Sequence, residues 1–262
     1  VTIYFVVIGI RGGFGKYTRP ITISNALQYT NTPQETAILL NTPFSLMKSL
    51  ENTTYQHPHY FSNEQTEQIF SPIHTDEIEK NERLGNTNVV VIILESFSKE
   101  YIGFYNQHIA GYKGYTPFLD SLLAHSVTYS HSFASGRKSI DAMPSVLSSI
   151  PMLIEPYIVT PYSTNAISSL ADVLLREGYA TAFFHGAPNG SMGFQAYARS
   201  AGFERYYGMN EYDGIEAFDG TWAIWDEEFL QYYARTMSDM PQPFMTSVFT
   251  ASSHHPFRVP ER

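Results

Sequence analysis

Asn88-Val89-Val90-Val91-Ile92-Ile93-Leu94-Glu95-Ser96 is the stretch on which the fold class turns. Six consecutive aliphatic residues, five of them β-branched, describe a strand buried on both faces of a parallel sheet. Downstream, the apolar pattern predicts strands near 127–132, 180–184 and 244–249. Helices are predicted between them at 116–124, 140–148, 167–177, 190–200 and 222–234. Strands alternating with helices predict an α/β domain with a largely parallel sheet, beginning near residue 87.

Upstream of this stretch the character differs. Residues 11–86 are polar and broken by X-Pro steps such as Arg19-Pro20, Thr32-Pro33 and Thr42-Pro43, which disfavour long helices. A short helix is predicted over 33–40, with Thr32 as N-cap, Pro33 at the first helical position and Glu35 closing a capping box. A second is predicted over 43–50, and 57–85, poor in aliphatics, is read as a surface linker. The apolar run Val1 to Ile10 is followed at once by Arg11-Gly12-Gly13. A span needs ~20 residues, and no basic region precedes the run as in a signal peptide, so it is read as the end of a transmembrane helix. A buried strand is the other reading of so short a run. The organisation expected is therefore 1–10 membrane, 11–86 membrane-proximal lead-in and 87–262 catalytic domain.

Composition narrows the partners. With 16 basic against 25 acidic residues the surface repels polyanions, which argues against nucleic acid. The absence of Cys excludes disulfides, thiolate metal sites and a Cys nucleophile. The 18 Phe and 19 Tyr suit either a large α/β core or a sugar- and lipid-facing cleft.

Ligands of open α/β sheets gather beyond the carboxyl ends of the strands. Glu95 lies there, after the aliphatic run, either marking the exit into solvent or paired with a cation. The segment Ser135-Gly136-Arg137-Lys138-Ser139-Ile140-Asp141 leads into a predicted helix, whose free amides stabilise an arriving anion beside the charges of Arg137 and Lys138. Ser139 is then either an activated nucleophile or an ordinary N-cap. His185, in Phe184-His185-Gly186, and His254, in Ser253-His254-His255-Pro256-Phe257, also follow predicted strands. Each alone reads more readily as a packed core or edge residue, but a parallel sheet would carry Glu95, Ser139, His185 and His254 to one rim.

These four segments, with Asn41-Thr42-Pro43-Phe44 in the lead-in, resemble the sulfatase-like domain of the lipoteichoic acid synthase family, membrane phosphoglycerol transferases of the alkaline phosphatase superfamily. The resemblance implies a sulfatase-like fold, truncated on its C-terminal side within this chain. It implies a cell-membrane enzyme with an extracytoplasmic catalytic domain. Glu95 would bind a divalent cation, most often manganese, with zinc or magnesium as alternatives, and Ser139 would be both nucleophile and ligand. Ser139 would attack a phosphatidylglycerol-like lipid, and the substrate, a phospholipid or anionic glycan, would meet His254, His185 and Lys138. Further metal ligands, an Asp-His pair, would lie past Arg262.

The sequence also departs from that family. An Asp, a Trp and an Arg that grip glycerol phosphate there are replaced by Ala187, Met192 and Phe194, so the bidentate phosphate clamp is missing. A sulfatase proper has Cys/Ser-x-Pro-x-Arg, whereas Ser139 is followed by Ile140, Asp141, Ala142 and Met143. Sulfate ester hydrolysis and an inactive glycan- or lipid-binding protein stand as the alternatives. A Ser-His hydrolase of the α/β type is disfavoured, because no Gly-x-Ser-x-Gly elbow occurs.

Overall fold

The computed structural model describes residues 2–11, 26, 29–30, 35–50, 58–71 and 87–260. The lead-in holds α1 (Thr2–Arg11), α2 (Thr36–Leu39), α3 (Thr42–Leu50) and α4 (Asn63–Ile69). The apolar run at the start is thus helical rather than a strand. No helix among the described residues is long and apolar enough to cross a membrane. Thr32 and Pro33 lie outside the described residues. Helix α3 begins where Asn41 Oδ1 accepts the Phe44 N–H at 2.9 Å, satisfying an amide the first turn leaves open. Within the expected linker, Ser62 and Gln65 form a capping box that starts α4, a helix that buries none of its residues.

The α/β domain follows as β1 (Val89–Ile93), α5 (Pro117–Leu123), α6 (Ser139–Ser148), α7 (Leu170–Arg176), β2 (Ala180–His185), α8 (Phe194–Ser200), β3 (Arg205–Tyr207), α9 (Asp226–Ser238) and β4 (Phe244–Phe249). The strands form one sheet in the order β1-β4-β2-β3, and every pairing is parallel. Register sets Ile93 beside Phe249 and His185 beside Phe249, so the strand ends at Glu95, His185 and Thr250 share one rim.

Side chains alternate across the sheet and create two cores. Phe183, Met245 and Phe249 face α6, α7 and α8, meeting Met143, Leu147, Ala171, Phe194 and Tyr197. Phe184, Phe244 and Val248 face α9, meeting Phe229 and Tyr233. Phe183 packs edge-on to Phe194 and Phe203, Phe184 stacks on Tyr207, and much of the aromatic load is spent here.

Three expectations are corrected. Strand β1 is covered on one face only: Val89, Val91 and Ile93 pack against the first core, while Val90 and Ile92 are 43% and 57% exposed. Helix α9 lies over β2 and β4 and leaves the far face of β1 open. The strand expected at 127–132 does not form. Among the described residues it has no partner, and a lone strand can neither pair its amides nor hide its side chains. Val127, Tyr129 and Phe133 are all exposed. The helix expected over 190–200 is broken, because Gly190, Met192 and Gly193 adopt left-handed backbone, and regular helix starts at Phe194.

Candidate active site

Glu95 leaves β1 with its carboxylate nearly buried. Its backbone N–H donates to Thr250 Oγ1 at 2.8 Å, and the Thr250 N–H donates to the Ile93 carbonyl at 3.0 Å, so the β1–β4 ladder runs one step past the strands. Ser96 next turns the chain with φ of 51°, an uncommon conformation for a non-glycine residue, and its hydroxyl donates to Glu95 Oε1 at 2.8 Å. The other carboxylate oxygen, Oε2, accepts the Ser139 hydroxyl at 2.7 Å. Two hydroxyls hold this carboxylate, and among the described residues no Lys or Arg pairs with it.

Ser139 reaches Glu95 by a route other than the strand end expected for it. It is the first residue of α6, and α6 is fixed on the sheet by Met143 and Leu147, both fully buried. Its hydroxyl caps nothing. Capping falls to Asp141, whose Oδ2 accepts the N–H groups of Arg137 at 3.2 Å and Lys138 at 3.1 Å. Gly136 lies under that carboxylate, where an added Cβ would come within 2.4–2.7 Å of the Asp141 side chain. This division of labour frees the Ser139 oxygen at the helix N-terminus, where backbone amides favour a negative charge. Lys138 itself is exposed.

His185 is fully buried against Phe194 and Phe249. Its Nδ1 lies 2.9 Å from the Phe249 carbonyl and must donate there, which leaves the lone pair on Nε2, an atom with no partner. Burial holds its pKa down at about 4, although the nearby Glu95 charge works the other way. His185 also feels the charge of His254. His254 is half-buried, with Nδ1 against the His255 carbonyl at 2.9 Å and its ring 4.4 Å from that of Trp222. The four residues singled out from the sequence thus share one neighbourhood, with direct contact between Glu95 and Ser139. Met192 and Phe194 follow on the segment beyond His185, and the buried Phe194 ring packs against that imidazole.

Thr250, Asp141 and Trp222 were not anticipated, although Thr250 bonds the Glu95 backbone, Asp141 holds the amides just before Ser139 and Trp222 lies against the His254 ring. Thr250 was the most accessible from sequence, since it directly follows a predicted strand as Glu95 does.

Among the described residues no three His, Asp or Glu side chains converge on a point that would hold a metal ion. The donors in view are the Glu95 carboxylate and the Ser139 oxygen, hard ligands suited to manganese or magnesium. A nearly buried carboxylate without a cationic partner fits such an ion.

The model of the sulfatase family matches residues 87–262. Among curated relatives, the lipoteichoic acid synthase-like protein YvgJ of Bacillus subtilis is 24% identical over 177 residues, covering 67% of this chain and 28% of that protein. Phosphoglycerol transferase I of Escherichia fergusonii is 26% identical over 187 residues, covering 64% of this chain and 23% of that protein. The chain therefore spans about a quarter of the length of these relatives. The crystal structure of the lipoteichoic acid synthase LtaP from Listeria monocytogenes superposes with a TM-score of 0.59 at 22% identity, over 67% of this chain and 43% of that one. That likeness establishes the fold: a parallel sheet flanked by helices, of the alkaline phosphatase type. With the match running over residues 87–262, more than half of its length, the chain belongs to the sulfatase family.

Proposed function

We propose that the protein transfers or hydrolyses a phosphodiester headgroup of the phosphoglycerol type from a membrane lipid, through a Ser139-linked intermediate and with a divalent metal. The observation that carries this reading is the 2.7 Å bond from the Ser139 hydroxyl to Glu95 Oε2, made at the N-terminus of α6 on the carboxyl rim of the sheet. The names of the relatives, lipoteichoic acid synthase-like protein and phosphoglycerol transferase, support the substrate class.

The Ser139 proton already has an acceptor in Glu95, so the oxygen lone pairs are available to a phosphorus atom. In the first displacement the Ser139 proton passes to Glu95, the Ser139 Oγ–P bond forms, the P–O bond to diacylglycerol breaks and the leaving oxygen takes up that proton. In the second, an acceptor hydroxyl or water attacks the phosphoserine, and Ser139 regains its hydroxyl. The free amides at the start of α6 favour the charge that gathers on the phosphoryl oxygens. Glu95 and Ser139 would hold the metal, manganese first, with magnesium and zinc as alternatives; when bound it lowers the hydroxyl pKa and offsets phosphoryl charge. His254, His185 and Lys138 are assigned to the substrate. A membrane anchor with the sulfatase domain on the extracytoplasmic side completes the reading. The apolar helix α1 suits it, since Ile3 and Phe5 are exposed.

The test is cleavage of phosphatidylglycerol in vesicles by the full protein, with manganese added or chelated, for wild type and Ser139→Ala. Metal-dependent turnover abolished by Ser139→Ala is the expected result. Turnover unchanged in Ser139→Ala would overturn the mechanism. Turnover of an aryl sulfate instead of the lipid would move the substrate to sulfate esters, and no turnover of either would favour a binding protein.

A further inference from the structure

Helix α9 starts in an unusual way. Its N-cap residue, Trp225, offers no side-chain cap, and the acid that follows turns away from its own helix. Asp226 Oδ1 accepts the Ala251 N–H at 2.8 Å and Oδ2 accepts the Ser252 N–H at 2.8 Å. In return the Asp226 N–H donates to Ser252 Oγ at 2.7 Å. Both carboxylate oxygens and the backbone amide are therefore committed to the loop that follows β4.

That loop carries His254. The Ala251 carbonyl accepts the His254 N–H at 3.0 Å, closing a turn directly on the residue that Asp226 holds. The imidazole is then oriented by Nδ1–H donation to the His255 carbonyl at 2.9 Å and by the face of Trp222. Trp222 Nε1–H donates to the same carbonyl at 2.7 Å. Trp222 is itself set by Asp219, whose Oδ1 accepts the N–H groups of Thr221 and Trp222, each at 2.6 Å. Residues 219–226 thus clamp the loop from one side. On the other side Thr250 ties it to the Glu95 backbone.

We infer that Asp226 is the positioning residue for His254: by fixing Ala251 and Ser252 it presents the imidazole with Nδ1 spent on the His255 carbonyl and Nε2 directed to the substrate. The inference rests on the substrate-binding role proposed above for His254. Asp226 touches no reacting atom, and its effect passes through the loop. A carboxylate is required, because Asn offers one acceptor where the loop has two amides to satisfy.

The experiment compares wild type, Asp226→Ala, Asp226→Asn and Glu228→Ala in the full protein. Glu228→Ala is the control, since it removes an exposed acid from the same helical turn without touching the loop. The first readout is the imidazole ¹⁵N spectrum, with the His254 signal assigned by its loss in His254→Gln. Wild type and Glu228→Ala should show His254 as a single Nδ1–H tautomer. Asp226→Ala should average the two tautomers, with Asp226→Asn intermediate. The second readout is turnover of phosphatidylglycerol vesicles, in which KM should rise about tenfold in Asp226→Ala while kcat stays within about threefold. If Asp226→Ala fails to fold, Ser252→Ala removes only the reciprocal hydroxyl and should give a smaller change of the same kind. A folded Asp226→Ala whose His254 tautomer is unchanged overturns the inference, as does a fall in kcat at constant KM. The spectrum needs no turnover, so an inactive wild type would refute the proposed reaction while the tautomer still decides the role of Asp226.

Discussion

Acidifying the protein should cost it stability through His185, by an amount that the structure sets. The native imidazole titrates near 4 because burial penalises its charged form, against an ordinary value of 6.5. The native state therefore binds fewer protons than the unfolded chain throughout that window. Stability from this residue is intact above about pH 6.5 and is lost progressively as pH falls toward about 4. At about pH 4.5 the unfolded imidazole is almost wholly protonated and the native one mostly neutral, a difference worth about 2–3 kcal/mol. At about pH 7 both states are largely neutral and the difference falls well below about 1 kcal/mol. The assay is urea denaturation followed by circular dichroism at both pH values, for wild type and His185→Gln. Other titrating groups cancel in the double difference, and wild type should lose about 2 kcal/mol more than the variant on acidification. Equal losses, within about 0.5 kcal/mol, would mean that the native imidazole takes a proton at pH 4.5. The buried neutral form, and with it the lone pair on Nε2, would then be wrong.

Three further outcomes follow from the site's supports. Thr250→Val keeps the shape of the side chain but strands the Glu95 N–H in a buried place, so urea midpoints should report a loss of about 1–3 kcal/mol, recovered by Thr250→Ser. Asp141→Ala removes the acceptor of two amides at the start of α6; thermal denaturation should show a loss of about 1–2 kcal/mol, and Ser139 should lose its fixed place beside Glu95. Gly202 has φ of +85°, and an added Cβ would meet the Asp172 backbone at 2.8–2.9 Å, so Gly202→Ala should lower stability by about 1–3 kcal/mol while leaving the site chemistry alone.

Much of the architecture was legible because strand and helix write different periods into a sequence. The runs at 89–93, 180–185 and 244–249 are long, apolar and bounded, and all three became strands of the parallel sheet. Where the period was right but the partner was missing, the reading failed. Residues 127–132 carry a strand's apolar residues, yet among the described residues no strand pairs with them. Strand β3, only three residues long, exists because β2 offers it an edge, and its own pattern is too short to announce it.

The candidate site divides in the same way. The sequence by itself determined that a carboxylate would follow β1, that a hydroxyl would open α6 and that histidines would end β2 and follow β4, because residue type and strand or helix ends are local properties. Only the tertiary structure decided where the Ser139 hydroxyl goes, since whether it caps its own helix or donates to Glu95 depends on how α6 packs against a strand 44 residues earlier. The same holds for the bonds from Thr250 to Glu95, across 155 residues, and from Asp226 to the His254 loop. Hydrogen bonds between segments so far apart leave no periodicity in either one; they exist only once burial of the two cores has fixed the segments side by side.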